Sequence, residues 1–313
     1  MNISIVVSVF NEEDVLEKFH LQLEKIKRES IHQLEIIYVN DGSYDNSKEI
    51  LKKIAYSSLK TKIINFSRNF GHEAAMLAGI DYSEGDAIIC MDADLQHPPN
   101  LISKMIKAFE DGSEIVTMIR TSREDHSLHS RLLSSFFYKI INWISDIKID
   151  PGASDFFLIS NKVKQILKSY YRDNNRFLRG VIQSIGFKKT SLTYEAPKRA
   201  GGRSKYSYIS LLRLSLNALS NLTVRPLKIG LFFGIIFGIF SLFIAVFSII
   251  MRFLEKPVSG YTTIIVFMSF GFSLMFILIG LIGDYLGKLY MEVKDKPIYL
   301  VEDVYDYNKN INP

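Results

Sequence analysis

The chain has 313 residues, 48% hydrophobic and 23% charged; that is too apolar for a disordered polypeptide and long enough for roughly two domains. Its formal charge of +5, from 38 Lys and Arg against 33 Asp and Glu, is modest for a nucleic-acid binder, so no nucleic-acid partner is expected. It suits a protein that handles phosphates or meets an anionic membrane surface. The single cysteine, Cys90, excludes an intrachain disulfide and fits a reducing compartment.

The stretch from Met1 to Phe10 lacks the basic flank of a secretory signal, and its apolar run ends in Asn11-Glu12-Glu13. The N-terminal part is therefore expected to stay in the cytoplasm. Ile3–Val9 reads as a strand. Between Glu12 and Glu29, Val15, Leu16, Phe19, Leu23 and Ile26 recur every three or four residues, which predicts an amphipathic helix. Leu34–Val39 is the next strand, Asn40-Asp41-Gly42-Ser43 a turn, and a helix follows from about Asn46 to Ser57. Further strands are predicted at Ile63–Phe66, Ala87–Met91 and Ile115–Ile119, with helices near 72–83 and 99–111. Uniformly apolar strands alternating with helices imply an α/β sandwich, a parallel sheet covered on both faces. Such sheets bind ligands at the carboxyl ends of their strands.

Residues 229–251 and 257–283 carry no charged side chain, and each run exceeds the roughly 20 apolar residues that cross a bilayer. They predict a transmembrane hairpin. Arg213, Arg225 and Lys228 precede it and Lys288, Lys294 and Lys296 follow, against Arg252 and Lys256 in the connector. That asymmetry places both termini in the cytoplasm and the connector outside. The expected organisation is a globular domain over 1–205, then 206–226, which fits an interfacial helix or a core-packed one. Two spans within 227–287 (about 229–251 and 262–283) and a polar cytoplasmic tail over 288–313 complete it.

Polar clusters fall at the predicted strand ends. Met91-Asp92-Ala93-Asp94-Leu95-Gln96 follows an apolar strand directly. Alternation along that strand would turn Asp92 and Asp94 to one side, where two carboxylates need a compensating cation. Mg²⁺ or Mn²⁺ is held in this way, by one or two carboxylates plus substrate phosphate. Asp41 fits either a nucleobase or ribose contact or an Asx turn, and Phe10 either flanks a base or joins the core. Together the clusters favour a nucleotide site. No Gly-x-x-x-x-Gly-Lys-Ser/Thr occurs, so a P-loop does not hold the phosphates.

Phe10-Asn11-Glu12, Asn40-Asp41-Gly42-Ser43, Arg68-Asn69-Phe70-Gly71-His72-Glu73, Asp92-Ala93-Asp94-Leu95-Gln96, Ser154-Asp155-Phe156 and Lys198-Arg199-Ala200-Gly201-Gly202-Arg203-Ser204-Lys205-Tyr206 occur in order, followed by two apolar spans. In this the chain closely resembles the polyprenyl-phosphate glycosyltransferases, relatives of dolichol-phosphate mannose synthase. Within them it is most similar to the bacterial bactoprenol glucosyltransferases with a C-terminal membrane hairpin. The resemblance implies a GT-A fold with a mostly parallel sheet, a nucleotide-sugar donor with UDP-glucose foremost, Mg²⁺ or Mn²⁺, and inverting transfer to polyprenyl phosphate. It also implies a multi-pass protein of the bacterial plasma membrane, a homo-oligomer, and a flippase downstream. UDP-N-acetylglucosamine, GDP-mannose and a UDP-linked modified arabinose are the alternative donors. The resemblance implies that Phe10, Glu12 and Asp41 hold the nucleoside and that Asp92 sits by ribose or diphosphate. Asp94, with Gln96, would carry the metal. Arg120 and Arg131 would face phosphate.

Arg199 and Lys205 flank Gly201-Gly202. That spacing suits a lid closing over the diphosphate, or a basic stretch on lipid headgroups. Asp155 matches the family's proposed base; because a phosphate monoester is largely ionised at neutral pH, it can instead orient acceptor or sugar. Three positions depart from the family pattern: Ser8 for a frequent proline, Phe157 for the arginine usual after Ser-Asp-Phe, and Ser184 for a frequent tryptophan. A processive synthase would need Gln-x-x-Arg-Trp, and the only tryptophan is Trp143, in Ile140-Ile141-Asn142-Trp143. A catalytically degenerate membrane scaffold is disfavoured by the intact Asp92, Asp94, Asp155, Arg199 and Lys205.

Overall fold

The computed structural model describes residues 1–57, 60–121, 150, 152–172, 178–195, 197, 225–254, 260–294 and 296–306. The chain forms two compact units. One takes the N-terminal part together with the residues from Pro297 onward; the other holds the two long apolar helices.

In the first unit, β1 (Asn2–Val9), α1 (Leu16–Glu29), β2 (Gln33–Asn40), α2 (Ser47–Ser57), β3 (Thr61–Phe66), α3 (His72–Tyr82), β4 (Ala87–Asp92), a single 3-10 turn (Pro99–Leu101) and α4 (Ile102–Glu110) follow the predicted order. β5 (Ile115–Arg120) ends this run. The pattern between 150 and 195 is too mixed for prediction. It forms β6 (Ala153–Ser160), α5 (Asn161–Tyr170), α6 (Leu178–Ser184) and β7 (Lys189–Tyr194).

The sheet has eight strands in the order β7-β5-β6-β4-β1-β2-β3-β8, where β8 is Val301–Asp306. β1, β2, β3 and β4 are mutually parallel, as are β5 and β7. β6 runs antiparallel to both its neighbours, and β8 antiparallel to β3. The sheet is therefore mostly parallel rather than wholly so. The reversal of β6 has a direct effect: its first residues lie at the carboxyl end of β4.

Uniform apolarity of the central strands reflects burial on both faces. Ile3, Ile5, Val7 and Val9 of β1 pack with Leu16, Phe19 and Leu23 of α1 and with Met105 of α4. Val6 points the other way, into a cluster with Ala74, Ala75 and Ala78 of α3, Val163 of α5 and Ile182 of α6. α3 approaches β1 closely because residue 79 is glycine; a Cβ there would run into Val6 Cγ1.

The segment after the second apolar run was expected to be a polar tail, but part of it is β8. Lys62 pairs with Asp306 and Ile64 with Val304. Asn65 Nδ2 donates to Asp303 Oδ1 at 2.5 Å, and Lys48 Nζ lies 2.7 Å from Glu302 Oε2. Ahead of β8, Tyr299 stacks on Phe66 (5.2 Å, 9°) and its hydroxyl donates to Asp81 Oδ2 at 2.7 Å.

The second unit contains α7 (Arg225–Phe253) and α8 (Tyr261–Val293). Phe232–Met251 and Phe270–Val293 are long and apolar enough to cross a membrane, with mean hydropathy of 2.7 and 1.8. Phe237 stacks on Phe267 at 4.7 Å and lies against Gly271. The second helix continues past the charge-free run to Val293, and Asp284 and Lys288 pair along it at 3.3 Å.

Candidate active site

The carboxyl ends of β1, β2 and β4, the start of β6 and the start of α3 converge on one rim of the sheet. Ser8 Oγ donates to Asp92 Oδ1 at 2.8 Å and lies 2.9 Å from His72 Nδ1. A hydroxyl has one proton to give; with that proton on Asp92, His72 Nδ1 is the donor to Ser8. His72 Nδ1 is also 3.3 Å from Asp92 Oδ1, and its Nε2 is 3.6 Å from Asp155 Oδ2. The imidazole therefore stands between two carboxylates. Burial opposes its charge, but Asp92, Asp155 and Glu73 outweigh that and raise it to about 9.

Asp155 is nearly buried, which disfavours its anion. Arg179 NH2 at 2.9 Å, followed by His72 and His97, reverses the effect and holds it at about 2. Glu73, in the first turn of α3, goes the other way: burial and the Asp155 charge push it up to about 7. His97 accepts the Asp92 backbone N–H on Nδ1 at 2.9 Å, so its own proton sits on Nε2. It stacks on Phe156 at 5.2 Å, and burial lowers its pKa against the pull of Asp92, Asp94 and Asp155.

Asp41 is 2% exposed and faces inward. Its Oδ1 accepts Phe70 N–H at 2.7 Å, and its Oδ2 accepts Gly71 N–H at 3.0 Å and Asn69 Nδ2 at 2.9 Å. Asp41 thus holds the loop 68–71, which carries His72 to the rim, and its carboxylate keeps acceptor capacity for the expected nucleoside contact. Burial still raises the Asp41 pKa, partly offset by those backbone donors. Gly42, at φ +65°, completes the fit, since a Cβ there would lie 2.5 Å from the Arg68 carbonyl carbon. The Asx turn belongs to Asn40, whose Oδ1 accepts Ser43 N–H at 3.1 Å.

Phe10 is exposed beyond β1 and meets Tyr44 edge-to-face at 6.1 Å; Tyr44 is 84% exposed. Asn11, at φ +56°, laces the two loops, its Oδ1 accepting Tyr44 N–H at 2.8 Å. Glu12 is partly exposed beside them, with its backbone N–H donated to Ser47 Oγ at 3.0 Å.

Asp92 ends β4, and Leu95 takes φ +62°. The turn, and not strand alternation, therefore sets the direction of Asp94, whose Oδ1 accepts Gln96 N–H at 3.0 Å. Gln96 Oε1 accepts from Arg120 NH2 at 2.6 Å. The expected metal role of Gln96 is compatible with this contact, since an amide oxygen has a second lone pair. Arg120 itself closes β5 on that rim. Among the described residues no three His, Cys, Asp or Glu side chains gather closely enough to hold an ion alone. A Mg²⁺-type ion needs only one or two carboxylates, with water and substrate phosphate supplying the remainder. The hard-oxygen pair Asp92 and Asp94 fits that requirement.

Arg131, Arg199, Gly201, Gly202 and Lys205 lie outside the described residues, as does the stretch 206–224. Five residues given no role from sequence enter the site: Ser8, His72, Glu73, His97 and Arg179. In the sequence Ser8 is only a departure from proline, His72 and Glu73 are letters of a motif, and no local pattern singles out His97 or Arg179. Phe157 is buried in the core cluster beneath α3, and Ser184 closes α6 by donating to Val181 O at 2.7 Å.

An open, mostly parallel sheet with carboxylates gathered at its strand ends is the GT-A class of fold. The chain is similar to mannosyl-3-phosphoglycerate synthase from Rubrobacter xylanophilus, with a TM-score of 0.51 at 14% identity over 73% of this chain and 74% of that one, a likeness of fold alone. Residues 4–182 match the family described as Glycosyl transferase family 2; the chain belongs to that family and is a glycosyltransferase. It is 35% identical over 305 residues to the uncharacterized glycosyltransferase YkcC of Bacillus subtilis (strain 168), covering 96% of this chain and 94% of that one. It is 32% identical over 303 residues to the bactoprenol glucosyl transferase of Shigella phage SfII, covering 96% and 98%. The motif resemblance to polyprenyl-phosphate glycosyltransferases agrees with these relatives.

Proposed function

We propose that this glycosyltransferase moves glucose from UDP-glucose to polyprenyl phosphate, with inversion, at the cytoplasmic face of a bacterial plasma membrane. The observation that carries this reading is the near-full-length likeness to a bactoprenol glucosyl transferase, which spans both the carboxylate rim and the two long apolar helices.

The acceptor needs little activation. A phosphate monoester has its second pKa near 6, so its oxygen is already an anionic nucleophile at neutral pH. That oxygen attacks the anomeric carbon from the face opposite the leaving group, and a carbon–oxygen–phosphorus link forms. The bond to the nucleoside diphosphate breaks, with its electron pair leaving on the diphosphate. Acceptor dianion and donor give a phosphodiester and UDP with no net proton released. Because the acceptor oxygen is already ionised, no base is required, and Asp155, kept anionic by Arg179, orients acceptor or sugar. Asp92 and Asp94 would hold Mg²⁺ or Mn²⁺, which when bound supplies positive charge beside the departing diphosphate. Arg120, Arg131, Arg199 and Lys205 add cationic contacts to phosphate oxygens, and Phe10 and Glu12 flank the nucleoside.

The two helices tether the rim to the bilayer where the lipid phosphate lies, raising its effective concentration. In this topology, a membrane-impermeant thiol reagent labels a cysteine introduced at Ser259 from outside and misses one at Asn310.

The test is transfer by the purified full chain with Mn²⁺, labelled UDP-glucose and a short-chain polyprenyl phosphate. Label passing into the lipid is the expected result. Transfer from UDP-N-acetylglucosamine, GDP-mannose or UDP-linked modified arabinose instead would overturn the choice of sugar. Transfer from none of the four would overturn the reaction.

A further inference from the structure

Asp155 sits among acids. Its charge pushes up both Cys90 on β4 and Glu73 on α3, and its side chain is only 15% exposed. A buried anion in such company needs a cation with good geometry. β6 supplies none, since the neighbours of Asp155 along the strand are Ser154, Phe156 and Phe157. His72 Nε2 stands at 3.6 Å, beyond hydrogen-bond length.

Arg179 comes closer and holds two points. Its NH2 donates to Asp155 Oδ2 at 2.9 Å and its NH1 to the Ala153 carbonyl at 3.3 Å, so one guanidinium grips both the carboxylate and the start of the strand that presents it. The helix behind it is seated independently. Leu178 and Ile182 of α6 are buried in the cluster that contains Phe157, and the Leu178 backbone N–H bonds Glu73. A planar fork on a packed helix fixes a carboxylate in direction as well as in charge.

We propose that Arg179 is the positioning residue of Asp155, its guanidinium fixing the carboxylate in the orientation that acceptor or sugar meets during transfer. This rests on the glycosyl-transfer reading above. A plain structural salt bridge would tie α6 to β6 and leave the reaction step untouched; a positioning contact changes turnover through the aim of Asp155.

The experiment uses the full chain in detergent with Mn²⁺, UDP-glucose and short-chain polyprenyl phosphate. For Arg179→Gln, kcat is expected to fall between about tenfold and a hundredfold, the range for loss of one charge-assisted contact. Donor KM and UDP affinity should stay within about threefold of the parent. Arg179→Lys keeps the charge and loses the fork, and should turn over at least about threefold faster than the Gln variant. A Gln variant with kcat within about threefold of the parent overturns the proposal. So does a parallel shift of kcat, donor KM and melting temperature in both variants, which marks Arg179 as purely structural. An inactive parent chain overturns the transfer reading itself, whereas an active parent with an indifferent Gln variant overturns only the role of Arg179.

Discussion

Ser4 and Ser8 lie on the same face of β1, one near each end, and their surroundings differ in kind. At the lower end, Ser4 Oγ donates to Glu35 and accepts Gly85 N–H at 2.9 Å, while Glu35 also accepts Glu84 N–H at 3.0 Å. The Lys164 ammonium, nearly buried, donates to the Ser83 carbonyl. Each acid there meets a donor and each cation an acceptor. At the upper end, Ser8 joins Asp92 to His72, and Asp92, Asp94, Asp155 and Glu73 share a rim with two histidines, Arg120 and Arg179. The strain shows in opposed carboxyls, with Glu73 driven up to about 7 and Asp155 down to about 2. One strand thus supports a matched polar network that fastens loops and a mismatched one that is suited to chemistry.

The sharpest break between the two ends is Asp94→Asn. Transfer at saturating Mg²⁺ should fall below about a tenth, a barrier increase of more than about 1.4 kcal/mol, while the melting temperature stays level. A variant with more than that tenth would remove Asp94 from the metal role. Asp41→Ala should fall between the two kinds of behaviour. It deprives Phe70 N–H and Gly71 N–H of their acceptor and leaves Asn69 Nδ2 only the Asp41 backbone carbonyl, which costs about 2–3 kcal/mol in chemical denaturation. It also loosens the loop that delivers His72, so kcat should drop with stability; a stable, active variant would mean that the inward contacts are dispensable. Ser4→Ala is the counterpart at the lower end. It should destabilise by about 1–2 kcal/mol and leave kcat and KM as they were.

The smallest effect is on pH. His72 is raised from 6.5 to about 9 in the folded protein, so its contribution is complete below about pH 6.5 and is lost as pH rises through about 9. Asp155 is lowered from 3.8 to about 2, so its contribution is present above about pH 4 and is lost as pH falls through about 2. In metal-free protein the melting temperature should decline between pH 7 and 10, and His72→Gln should flatten that decline. An unchanged slope would place the alkaline loss elsewhere.

Much of this was legible in the sequence, for identifiable reasons. β1 to β5 are readable because burial on both faces makes their apolar runs continuous, and the Asp92 cluster is readable because it follows such a run directly. The roles of Ser8 and His72 are not, since a serine in a strand and a histidine at a helix start are common and become a pair only when β1 and α3 touch. Arg179 reaches Asp155 from a different element, and no local spacing links them. β8 is hidden by an inverted pattern: Val304 faces outward, 40% exposed, while Asp303 turns inward to Asn65. An alternation rule would read that segment as a solvated tail.

The pairing of Lys62 with Asp306 sets an order on synthesis. Most of the sheet can assemble as soon as β7 is made, but its outer strand arrives only after both long apolar helices have been translated. Until then β3 has an open edge, with unpaired backbone groups of the kind that invite intermolecular pairing. A chain arrested before Pro297 should accordingly be clipped by protease near β3 faster than the complete chain. The strand Val301–Asp306 thus acts as a completion signal: only a polypeptide that has made both helices can close the edge of its own sheet.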